Sequence, residues 1–157
     1  VFILSLFYIA VPFLFVTHLQ FIEVENSHLA IGMFLLIWTN DTFAYLSGRF
    51  FGKTKLFERI SPKKTWEGTV GGILFTLLVG YLIYLSNNIY PISFWLLSAL
   101  IIAPCSIFGD LLESLFKRSL NIKDSGNILP GHGGILDRFD AAIFAIPFFY
   151  ALVVFYS

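Results

Sequence analysis

Every lysine and arginine of this chain falls in one of two short windows. The first holds Arg49, Lys53, Lys55, Arg59, Lys63 and Lys64, and the second holds Lys117, Arg118, Lys123 and Arg138. Outside the windows run five apolar stretches, at about 1–17, 29–46, 69–85, 94–112 and 139–155. Each approaches the roughly 20 residues a helix needs to cross hydrocarbon. Backbone polar groups have no water partner there, so a spanning segment must be a helix or part of a closed barrel. No alternating strands suited to a barrel are present, and the expectation is an all-α polytopic membrane protein of about five transmembrane helices.

Composition agrees. Apolar residues make up 57% and charged residues 13% of the chain, against roughly 45–50% and 25% in soluble domains. Five spans place both basic windows on one face and the non-basic connections, 18–28 and 86–93, on the other. Cationic loops stay on the cytoplasmic side of a membrane, which puts the basic face in the cytoplasm and the C-terminus outside. The chain reads as one membrane-embedded region over 1–157, with polar loops at 47–68 and 113–138. It starts with Val1 and enters an apolar stretch at once, which suggests that upstream spans are missing. A net charge of zero gives no reason to expect nucleic acid as a partner. Cys105, the single cysteine, sits in an apolar run as a small packing residue. His18 and His28 fall on the non-basic face and are incidental.

Four groups of residues carry possible chemistry. In the first window, Ser61-Pro62-Lys63-Lys64-Thr65 offers hydroxyl and ammonium donors in succession ahead of Gly68, where backbone amides open the next helix. Such a run can hold a polyphosphate, and equally suits a solvated loop facing anionic headgroups. It lacks the order of a Walker loop. Asp41 is an ionisable residue near the end of the second span, and shares a helical face with Asn40, Ala44 and Tyr45. It either walls a polar cavity or reaches the interface.

Asp110, Glu113, Ser114 and Lys117 stand at i, i+3, i+4 and i+7, a single stripe where the fourth span leaves the membrane. Carboxylates one turn apart repel unless a cation compensates. Mg²⁺ does so through one or two carboxylates plus substrate phosphates, and a salt bridge to Lys117 is the plainer alternative. Asp137, Arg138 and Asp140 repeat the pattern at the start of the fifth span, after Gly131-His132-Gly133-Gly134. Glycine at that density lets backbone approach a ligand closely.

Together these motifs resemble the phosphatidate cytidylyltransferase (CDP-diacylglycerol synthase) family. The family's signature is matched in register by Ser114, Lys117, Arg118, Lys123, Asp124, Gly126, Pro130, His132, Gly133, Gly134, Asp137, Arg138 and Asp140. Asp41 with Tyr45 and Gly48-Arg49, the Ser61–Thr65 run with Glu67-Gly68, and Gly109-Asp110 extend the resemblance upstream, so that it covers about 40–140. Family members are longer, and this chain corresponds to their C-terminal, catalytic part.

The resemblance implies transfer of the cytidylyl group of CTP to phosphatidic acid, giving CDP-diacylglycerol and pyrophosphate in phospholipid biosynthesis. It implies Mg²⁺, with a second cation left open, in a bacterial inner membrane with the site facing the cytoplasm; it also admits a homodimer. On this reading Asp110 and Asp137 are the principal metal ligands, with Glu113, Asp124 and Asp140 as further ligands. Lys117, Arg118, Arg138 and His132 serve catalysis. Ser61, Lys63, Lys64, Thr65, Lys123, Gly133 and Gly134 bind substrate, and Asp41 walls the cavity. A CTP-dependent enzyme acting on another lipid, such as a CDP-archaeol synthase or a lipid kinase, would share most of these residues. A transporter would instead hold its ionisable groups near the bilayer midplane.

Overall fold

The computed structural model of the chain describes residues 2–22, 28–86, 89–119, 122 and 136–156, with the side chains of 2–6, 136 and 138 outside that description. Five helices follow one another: α1 (Phe2–Ile22), α2 (His28–Phe51), α3 (Trp66–Ser86), α4 (Ile92–Ser119) and α5 (Leu136–Tyr156). Among the described residues, four helices are long and apolar enough to cross a membrane, and α1 contributes a shorter apolar helix over Phe7–Ile22. The protein is an all-α polytopic membrane protein, as the hydropathy pattern requires. Large apolar side chains face outward along the bundle, among them Phe21, Trp38, Phe116 and Phe155. In lipid that is the low-energy arrangement.

The described parts of the polar windows are mostly helix or paired strand. α2 continues past the expected span end at 46 to Phe51, and α4 continues past 112 to Ser119. Between α2 and α3 lies an antiparallel hairpin, β1 (Lys55–Phe57) with β2 (Ser61–Thr65), paired Lys55 to Thr65 and Phe57 to Ser61 with a bulge between. Pro62 sits in β2 without breaking a wider ladder, because both strands of a two-stranded sheet are edges.

The hairpin is fastened to the start of α3. Thr65 caps that helix, its hydroxyl oxygen accepting from the Gly68 amide at 3.2 Å. The Trp66 amide donates to the Thr54 carbonyl at 3.0 Å. The Thr54 amide in turn donates to the Glu67 carboxylate, 3.1 and 3.2 Å from its two oxygens.

Lipid tails are as apolar as leucine, so membrane helices associate by close packing rather than by excluding water. α3 does this with one stripe of small residues: Gly68, Gly72, Thr76 and Gly80 are its buried positions, four apart. A Cβ at Gly68 would lie 2.6 Å from the Ala44 carbonyl oxygen and 3.0 Å from the Gly48 Cα of α2. α2 and α3 therefore run in near backbone contact. α4 forms the centre of the bundle, touching α2, α3 and α5. It buries Phe94, Trp95, Ala99 and Ile102 against Met33, Leu36, Ile146 and Phe149. At its far end Gly109 packs under α5, where a Cβ would meet the Asp140 carbonyl oxygen at 2.6 Å.

Candidate functional site

That packing brings five chain segments to one end of the bundle. They are the C-terminal half of α2, the hairpin, the first turn of α3, the C-terminal part of α4 and the first turns of α5. They enclose a cavity of about 750 Å³, within the size range of small-molecule sites. Asp41, Tyr45, Arg49, Lys55, Lys63, Lys64, Asp110, Asp137 and Asp140 all line it. Cations of the first basic window and Lys117 of the second thus meet the carboxylates of α4 and α5 at one end, as the alternation of loops predicts.

The two sides of the cavity differ in charge. The α4–α5 side is acidic. Asp110, Glu113 and Asp140 each offer an oxygen, and these atoms lie within 4.8 Å of one another. Two oxygens on one Mg²⁺ are at most about 4.2 Å apart, so small rotations would complete a site. Gly109 creates this proximity, because its missing side chain lets Asp140 come down onto the turn that carries Asp110. Glu113 is buried, and among the described residues its Oε1 has no hydrogen-bond partner. An unpartnered carboxylate oxygen is costly to bury; a cation beside it removes that cost. The donor set fits a divalent metal.

Two lysines neutralise part of this charge. Lys117 Nζ lies 3.2 Å from Glu113 Oε2 and 2.8 Å from Asp137 Oδ1, tying α4 to α5. Lys64 Nζ reaches from β2 to Asp110 Oδ2 at 2.5 Å, and donates to the Ile107 carbonyl at 3.3 Å. Asp110 Oδ1 accepts a long hydrogen bond from the Ser114 hydroxyl at 3.5 Å.

The hairpin side is basic and exposed. Lys63 projects openly, Ser61 is half-buried, and Lys55 and Arg49 line the same wall. Thr65 borders the cavity, but its hydroxyl oxygen is engaged as the helix cap. Asp41 lies well inside its helix rather than near its end, because α2 runs ten residues further to Phe51. At 1.5 Å per residue that is about 15 Å of helix, so the cavity reaches deep into the bundle. Asn40, Asp41, Ala44 and Tyr45 line it together, as their shared face predicts. Asn40 is fully buried and donates to the Ala103 carbonyl of α4 at 3.4 Å.

Asp137 lines the cavity with its carboxylate on Lys117, outside the tight trio of oxygens. Arg118 is exposed at the end of α4 and is not among the lining residues. Lys123, Asp124, His132, Gly133 and Gly134 lie outside the described residues, as does the side chain of Arg138. Arg49, Lys55, Asn40 and Thr69 line the cavity without having been singled out for the site. For the two cations the signal available was their membership of the first basic window, and for Arg49 also its place in the upstream part of the resemblance.

The cytidylyltransferase family model matches residues 1–156. Among curated proteins, the phosphatidate cytidylyltransferase of Staphylococcus saprophyticus is 41% identical over 154 residues, covering 97% of this chain and 58% of that protein. The phosphatidate cytidylyltransferase of Haemophilus influenzae is 45% identical over 127 residues, 77% of this chain and 44% of that protein. That of Bacillus subtilis is 46% identical over 124 residues, 78% and 46% respectively. The chain spans about half the length of these relatives.

Proposed function

The chain belongs to the cytidylyltransferase family, and from that membership we propose that it carries the site that transfers cytidylyl from CTP to phosphatidic acid. An oxygen of the lipid phosphate attacks the α-phosphorus of CTP. The new phosphorus–oxygen bond forms as the α–β anhydride bond breaks, and pyrophosphate leaves. No covalent intermediate on the protein is needed, so the protein's task is to position two anions and offset their charge.

The observation that carries this reading is the division of one cavity into an acidic wall and a basic wall. Asp110, Glu113 and Asp140 are the residues that would hold Mg²⁺, with Asp137 beside them on the same wall. Bound there, the metal would supply charge neutralisation to the phosphates. Lys63, Lys55 and Arg49 face them as donors for the triphosphate and the lipid phosphate, with Ser61 among them. Asp41 and Tyr45 close the inner wall. Lys117 keeps Glu113 and Asp137 oriented between the two helices.

One reactant is an acidic lipid and the other a soluble anion, so the cavity belongs at a membrane interface. The concentration of cations at this end supports an interface on the cytoplasmic side of a bacterial inner membrane. The test is incubation of the purified protein with labelled CTP, Mg²⁺ and vesicles containing phosphatidic acid. Lipid-borne cytidine appearing in step with pyrophosphate is the expected result. Absence of both, from folded protein, would overturn the assignment.

A further inference from the structure

Lys64 occupies a position that a simple phosphate-binding lysine has no reason to take. Its neighbour Lys63 projects into the cavity, exposed and facing open space, whereas Lys64 folds back across to the acidic wall. There its ammonium sits 2.5 Å from Asp110 Oδ2 and 3.3 Å from the Ile107 carbonyl oxygen. Asp110 is one of the three residues whose oxygens converge as a possible cation site, and Glu113 Oε1 in that group is buried with no hydrogen-bond partner among the described residues. The lysine therefore sits at the edge of the cluster, engaging one of its carboxylates.

The backbone beneath Lys64 is fixed independently of the contacts its side chain makes. Thr65, the next residue, caps α3, and the hairpin is held at Thr54 by Glu67 and Trp66. A lysine ammonium on a four-carbon stem can swing between two anions without any movement of such an anchor. Asp110 is itself less than half exposed, so the pair is only partly screened.

From this geometry we infer that Lys64 is a resident counter-ion, which a divalent cation displaces from Asp110 and thereby releases toward the triphosphate. The inference rests on the reading of Asp110, Glu113 and Asp140 as the metal-holding group. An ammonium and a divalent ion on the same carboxylate repel, so arrival of the metal drives the lysine off. A phosphate in the cavity is then open to it, in the space that Lys64 shares with Asp41. Metal binding thus delivers a cation to the nucleotide side, and the acidic wall stays neutralised whenever the metal is away.

The two halves of this exchange predict effects of opposite sign. Mn²⁺ binding to the purified protein, followed calorimetrically without nucleotide, is compared among the parent, Lys64→Met and Asp110→Asn. Lys64→Met should bind Mn²⁺ about fivefold more tightly, because no ion pair has to break. At saturating Mn²⁺ the same variant should bind CTP more weakly than the parent. Unchanged or weaker Mn²⁺ binding by Lys64→Met, alongside loss of the ion in Asp110→Asn, overturns the exchange and leaves the metal-holding group standing. No Mn²⁺ binding by any of the three proteins overturns both. Should Lys64→Met fail to fold, Lys64→Gln carries the same comparison.

Discussion

Two cavities of nearly equal size open between α2 and α3, at opposite ends of the same helix pair. One, about 750 Å³, is walled by carboxylates and lysines. The other, about 730 Å³, is lined by His28, Ile31, Gly32, Leu35, Val79, Leu82, Ile83, Ser86 and Ile89. Volume does not separate them. Desolvated charge does: an apolar hollow in a membrane protein is filled by lipid at little cost, whereas clustered ionisable groups persist only where something compensates them. The polar end also draws on three more segments, the hairpin, α4 and α5, which the apolar end does not share to the same degree.

The sharpest way to break this contrast is to remove a carboxylate. Asp110→Asn and Asp140→Asn should each lower cytidylyl transfer by about a thousandfold while leaving helix content intact, and Asp137→Asn should also abolish turnover. Chelation should do the same reversibly, with activity restored by Mg²⁺ or Mn²⁺. Substantial transfer by Asp110→Asn would remove the acidic wall from the chemistry.

Lys117→Met tests whether the polar end is also a structural joint. It leaves Glu113 and Asp137 facing each other without their shared ammonium. The expected loss is about 2–3 kcal/mol of stability, below the full cost of a deeply buried pair because Lys117 keeps some exposure. Thermal unfolding in detergent reads it, and an unshifted midpoint would show that the bridge holds nothing together.

Gly68→Val probes the shared helix pair itself. The added side chain would drive into the Ala44 carbonyl and the Gly48 backbone, at a cost of about 1–3 kcal/mol. The polar end should suffer most, since α2 and α3 separate there.

The smallest effect should come from the apolar end. Ile31→Ala and Leu35→Ala should leave kcat/KM within about twofold. A larger loss would mean that the two cavities communicate.

Much of this could be read before any coordinates. Hydropathy gave the spans because a bilayer tolerates no alternative, and the two cationic windows gave their common end. The i, i+3, i+4, i+7 spacing placed Asp110, Glu113 and Lys117 on one stripe of α4. Helical spacing also grouped Asn40, Asp41, Ala44 and Tyr45. What escaped depends on contacts between elements. Asp140, rather than Asp137, joins the tight trio because Gly109 lets α5 settle onto α4, and nothing within either helix encodes that choice. The hairpin was hidden because Ser61-Pro62-Lys63-Lys64-Thr65 has neither apolar alternation nor β-branched runs, and Pro62 argues against a strand. Its order comes from Thr54, Thr65 and Glu67, which fasten it to α3.

The Lys64–Asp110 contact joins β2 to α4, so the site's two signs of charge come from portions of the chain made at different times. During synthesis, a ribosome that has delivered the chain only as far as α3 has given the bilayer the hairpin's cations but none of the carboxylates of α4 and α5. At that stage the acidic wall does not exist, because its three carboxylates come from α4 and α5 and converge only once α5 packs on α4.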